Sequence, residues 1–106
     1  MAAGTVPLMI RHVVCFRWNE GTSPEQVDEV AAALRALPET IPEIRSFRCG
    51  PDVDVNDGNW DFAVVADFDS IDDQTTYRDH PAHQRVITEH IAPIRSDRAA
   101  VQYDAG

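Results

Sequence analysis

The chain has 106 residues, with 18 acidic against 9 basic side chains and a formal net charge of −9. That length predicts one domain, and 43 % hydrophobic with 25 % charged residues is a globular composition rather than a disordered one. The acidic balance argues against nucleic acid, whose phosphates need a basic footprint, and against an anionic membrane surface.

Residues 1–9, small and carrying Gly4 and Pro7, read as a flexible N-terminal arm. They lack the basic flank of a secretory leader, and no apolar run approaches the ~20 residues that span a bilayer. A soluble, cytoplasmic protein is therefore expected. Residues 10–18, IRHVVCFRW, are rich in β-branched and aromatic types and predict a strand. One face carries His12, Val14, Phe16 and Trp18; the other carries Val13, Cys15 and Arg17.

Ser23-Pro24-Glu25-Gln26 has the pattern of a helix start: a serine cap, proline at the first helical position, and a glutamine able to reach back. Val27, Val30, Ala31, Leu34 and Leu37 follow at helical spacing, and Pro38 and Pro42 punctuate the end. Ile44 to Cys49 predict a second strand, and residues 50–59 a polar turn-rich connection. Trp60 to Phe68 predict a third strand. Ser70 with Asp72 and Asp73 marks a second capped helix, which His80-Pro81 should interrupt before a further helix to about Ile91. Arg98 to Asp104 predict the last strand.

The order β-α-β-β-α-(α)-β is that of the ferredoxin-like, split βαβ arrangement, an α+β fold on one four-stranded sheet. The first and third strands, the most apolar, should be its central pair, and are taken to run parallel. Helices can cover only one face of this sheet. Val13, Cys15, Ala63 and Val65 on the other face need a second cover, most simply another copy of the chain, making a homodimer through the sheet face. Cys15 and Cys49 would sit on strands that are not neighbours, so both are expected to remain reduced.

Four histidines are present, and three of them fall in YRDHPAHQRVITEH. His83, Ile87, His90 and Ile94 would share a helical stripe. With Trp60 at the start of a parallel third strand, one end of the domain would combine His12, Trp60, Phe62, Tyr77 and His83 in an apolar cavity with a few polar groups. For His12 and His83 two roles stay open: proton transfer near neutral pH, or plain packing in the core. His80 reads as a helix cap and His90 as a solvated residue near a helix end. His80-x-x-His83 is interrupted by Pro81 and has no third ligand fixed by spacing, so no metal site is expected. Asp52-x-Asp54-x-Asn56 opens like a calcium loop but places Asp57 where glycine belongs and Ala63 where the closing glutamate belongs. No phosphate-binding glycine loop and no GxSxG are present, and no cofactor is expected.

HVVCFRW, GTSPEQVDEVAAALRALPETIPEIRSFRCG and YRDHPAHQRVITEHIAPI together resemble the stress-responsive A/B barrel, or Dabb, domain. The resemblance covers residues 10–104. It implies a ferredoxin-like monomer and a homodimer whose two sheets form an α+β barrel. One plant branch of that family consists of cofactor-free polyketide cyclases, in which a Tyr and a His matching Tyr77 and His83 promote an aldol closure. By that resemblance His83 would be the general base, Tyr77 would polarise the carbonyl, and His12 would shape the pocket. Where the branch has a further histidine in the third strand, this sequence has Phe62, which makes the pocket more apolar. Three readings follow. One is a dimeric barrel binding a hydrophobic or aromatic small molecule, the second a cofactor-independent lyase or cyclase, and the third a monooxygenase of the antibiotic-biosynthesis type. The HPAH element favours the first two.

Overall fold

Both serine caps form. Ser23 Oγ accepts from the Gln26 amide at 3.2 Å while Gln26 Oε1 accepts from the Ser23 amide at 2.8 Å, and Ser70 Oγ accepts from the Asp73 amide at 3.0 Å. Such caps satisfy amides that a helix start leaves unpaired, each worth about 1 kcal/mol. The computed structural model describes residues 8–106. Residues 1–7 of the expected N-terminal arm lie outside the described residues.

The strands are β1 (Ile10–Trp18), β2 (Ser46–Pro51), β3 (Phe62–Phe68) and β4 (Arg95–Asp104). The helices are α1 (Pro24–Arg35), α2 (Leu37–Thr40), α3 (Ile71–Asp79) and α4 (Pro81–Val86), the last continued by a π-helical turn over Ile87–Ile91. The sheet order is β2-β3-β1-β4, and every neighbouring pair is antiparallel. This is the ferredoxin-like α+β architecture. β1 and β3 are central as predicted, but their expected parallel pairing is wrong. The α1 crossover makes β2 run with β1, and the β2–β3 connection then reverses the chain, so β3 enters between them in the opposite direction.

The helix-facing side of the sheet carries Val14 and Phe16 of β1 and Phe62, Val64 and Ala66 of β3, all buried. Val30, Ala31 and Leu34 of α1 pack into the same core. Phe62, Phe68, Leu34, Ile41 and Val30 are the largest fully enclosed side chains. On the opposite side the register aligns two apolar rows, Val65–Val13–Val101 and Ala63–Cys15–Ala99. Beside them Arg11 makes a bidentate pair with Asp67, at 2.8 and 3.0 Å. Val101 remains 59 % exposed and Tyr103 46 %.

Both cysteines are free. Cys15 belongs to the outer rows. Cys49 is registered with the buried Val64 and its Sγ contacts the Ala31 carbonyl, so the two thiols lie on opposite faces of the sheet. Neither is deeply buried; both are half-buried.

Candidate functional site

The interruption predicted at His80-Pro81 builds the site. α3 ends at Asp79, and His80 caps α4, its Nδ1 accepting from the Ala82 amide at 3.0 Å. The break leaves the Arg78 carbonyl at the end of α3 without a helical partner. Two side chains of the next helix supply one: His83 Nδ1 lies 3.0 Å from it, and Gln84 Nε2 donates at 2.6 Å. A carbonyl only accepts, so His83 carries its proton on Nδ1 and, when neutral, a lone pair on Nε2.

This fold of the chain lays the His83 ring against that of Tyr77, with centroids 4.1 Å apart and planes at 32°. Tyr77 is 2 % exposed and also packs on Phe68 at 5.1 Å. His12, from the helix-facing side of β1, meets Tyr77 edge-on at 6.2 Å. The three rings line one cavity of about 300 Å³ between the sheet and α3/α4. That is roughly twice the volume of engineered apolar cavities that admit benzene. Val14, Leu34, Val64 and Ile87 supply apolar wall, and Gln74, one turn before Tyr77, is a buried polar group facing the same space.

Burial pushes the Tyr77 phenol far above its ordinary range, so it stays a hydrogen-bond donor at any physiological pH. Burial also lowers His12 and His83 below the ordinary 6.5, and the Arg98 charge lowers both further. Gln102, across the strand pair, acts the other way on His12, as the Arg78 carbonyl does on His83. His12 Nδ1 is buried with no hydrogen-bond partner among the described residues.

These depressed histidines predict a pH dependence of stability. Below about 6.5 the unfolded chain binds protons that the folded chain refuses. Stability is therefore full above that pH, falls as pH drops through the window, and levels off once the folded rings also protonate. Urea midpoints at pH 8 and pH 5.5 should differ in that direction, and a His12→Gln/His83→Gln double variant should flatten the difference. Equal slopes in both proteins would contradict it.

Of the five residues expected at the site, the structure brings together His12, Tyr77 and His83. It does not bring Trp60 and Phe62 there. The antiparallel register pairs His12 with Ala66 and sets Phe62 opposite Phe16, at the far end of β1. Phe62 is a core residue, 2 % exposed, 5.6 Å from the Trp18 ring. Trp60 precedes β3 at that same far end, where the Arg17 guanidinium lies 4.5 Å over its ring. Of the predicted stripe, His83 and Ile87 face the cavity, Ile94 is buried in the core and His90 lies outside the lining. The sequence reading missed Gln74, and it missed Arg95, Arg98 and Gln102 of β4. The alternation of Arg98, Ala100 and Gln102 along one strand was the available signal for the last two. Among the described residues no cluster of three metal-ligating side chains occurs, and no helix is long and apolar enough to cross a membrane.

The Stress responsive A/B Barrel Domain family, Dabb, matches residues 10–105. The chain belongs to this family. An uncharacterized protein of Streptomyces coelicolor is 35 % identical over 78 residues, covering 72 % of this chain and 80 % of its own length. A dimeric ferredoxin-like protein of unknown function from Thermobifida fusca is 43 % identical with a TM-score of 0.86, covering 96 % of this chain and 95 % of its own. The hydroxynitrile lyase of Passiflora edulis superposes with a TM-score of 0.82 at 21 % identity, over 95 % of this chain and 96 % of its own, and shares the fold.

Proposed function

We propose that this Dabb domain is a cytoplasmic homodimer that binds a hydrophobic or aromatic small molecule in the cavity of each protomer. The convergence of Tyr77, His83 and His12 on one largely apolar cavity carries the reading. A few polar groups in an otherwise apolar concavity are what small-molecule sites have in common. Dimerisation is supported by the apolar rows on the uncovered sheet face and by the 43 % identical Thermobifida fusca protein, which is described as dimeric.

Acetophenone is a suitable neutral probe, being an aromatic ring with one carbonyl. Added to the protein, it should shift the imidazole proton signals of His83 and the ring signals of Tyr77 while leaving His90 and Trp60 unmoved. Shifts confined to residues outside the cavity, or none at saturation of the probe, would overturn the reading.

One observation favours a catalytic version of the same site. The Arg78 carbonyl fixes the His83 proton on Nδ1, which leaves Nε2 as a base, and burial keeps that ring neutral at pH 7. In a cofactor-independent lyase or cyclase, Nε2 takes the proton from the carbon beside a carbonyl. The electron pair left behind delocalises onto the carbonyl oxygen, where the Tyr77 hydroxyl donates a hydrogen bond to the developing charge. The proton then returns to the same carbon, or the carbanion adds to a second carbonyl carbon of the ligand, whose oxygen takes up the electron pair of the broken C=O π bond and the proton held on Nε2. In D₂O the protein should catalyse exchange of the acetophenone methyl protons. His83→Gln should lower that rate by about 10²–10⁴ with the fold intact. No acceleration by the unmodified protein would remove the catalytic version and leave the binding one.

A further inference from the structure

We infer that the natural ligand of this cavity carries an anionic head group, held by Arg95 and Arg98 at the β4 rim while its apolar body lies against Tyr77 and Ile87; this rests on the ligand-binding reading above. The chain has two acids for every base, and all nine of its bases are arginines. Yet three of those nine, Arg78, Arg95 and Arg98, line this cavity, and among the described residues no aspartate or glutamate does. Arg78 is occupied by Asp79, at 2.9 and 3.0 Å. Arg95 and Arg98 form no ion pair among the described residues and are exposed on β4.

The backbone arranges the two. Arg98 pairs with Phe16, which puts it on the helix-facing side of the sheet. Arg95, three residues earlier, would face the opposite side in a regular strand, because side chains alternate. The register instead slips between Arg17 and Trp18: Arg17 pairs with Asp97 and Trp18 with Arg95, so Ser96 is an extra residue, its Oγ donating to the Trp18 carbonyl at 3.3 Å. This bulge turns Arg95 to the side of Arg98 and the cavity. Bulges re-aim side chains in this way beside functional sites.

A guanidinium without a carboxylate at the edge of an apolar space is poorly compensated, and an anion entering there exchanges water for a charge-assisted pair. Arg98 already acts on the cavity, since its charge lowers His12 and His83 and opposes the rise of Tyr77. A bound anion would cancel that influence. His12 Nδ1, buried and unpartnered, offers one further polar contact within. Carboxylate and phosphate both match the arginine fork, so the shared chemistry is an amphipathic aromatic anion.

Calorimetric titration with 3-phenylpropanoate, 2-phenylethyl phosphate and the neutral 3-phenylpropanamide separates the cases. At least one anion should bind about tenfold or more tightly than the amide, and the stronger of the two names the head group. The preference should shrink in high salt and vanish in Arg95→Gln/Arg98→Gln. It should persist in Arg85→Gln, which removes the same charge from an exposed position outside the cavity lining. Anion binding should also raise the His83 titration midpoint, followed by its imidazole NMR signals. Equal affinity for amide and anions overturns this inference and spares the cavity reading, whereas no binding by any of the three overturns both. Anion preference undiminished in the double arginine variant overturns the assignment to β4.

Discussion

Phe62→Ala should lower the free energy of unfolding by about 3–5 kcal/mol and leave acetophenone affinity unchanged. The phenyl ring is 2 % exposed and stands opposite Phe16 across the central strand pair, with Trp18 packed beside it. Its removal leaves a void among rigid strands, because the ring is a core residue and not part of the ligand cavity's lining. A domain of this size has about 5–15 kcal/mol in hand, so urea unfolding should move to a far lower midpoint. Phe62→Leu, which keeps most of the volume, should fold normally and show a smaller loss. A pocket residue would behave in the opposite way: probe affinity would change and stability would barely move. That pattern would return Phe62 to the site.

This residue marks where sequence reasoning reached and where it stopped. The elements were legible because their signals are local. Ser23 and Ser70 announce helix starts through hydrogen bonds that span three residues, and alternating apolar residues announce strands. The interruption at His80-Pro81 was legible for the same reason, whereas Tyr77 and His83 were brought together only through a helical stripe and the resemblance to the family. Strand direction is not local. It depends on how many times the chain reverses between β1 and β3, and taking that pair as parallel carried Trp60 and Phe62 to the wrong end of the sheet. Arg95 was hidden differently. A one-residue bulge inverts the facing of everything before it in β4, and no simple period reports a bulge.

Val13→Asp should convert the proposed homodimer to monomer. In the outer row Val65–Val13–Val101 this residue is central, with valine on both neighbouring strands. Val65 is a poorer choice for the same test, because Arg48 stands opposite it on β2 and would neutralise an introduced carboxylate. A dimer formed through this face is two-fold symmetric, so each substitution enters the interface twice. An uncompensated buried charge costs about 3–5 kcal/mol. Two such sites, if additive, weaken association by about 10⁴-fold or more. Sedimentation velocity at micromolar concentration should then report the unmodified chain at twice the 11.8 kDa protomer mass and the variant at that mass itself. Val101→Asp guards against a trivial outcome. Its side chain is 59 % exposed in the protomer, so the carboxylate stays hydrated there and the fold is undisturbed, yet it lies in the same apolar row. Both variants should be monomeric with unchanged circular dichroism and with cavity ligands still bound, since the cavity opens on the other face of the sheet. An unmodified chain that sediments as a monomer, or two variants that remain dimeric, would move the interface elsewhere.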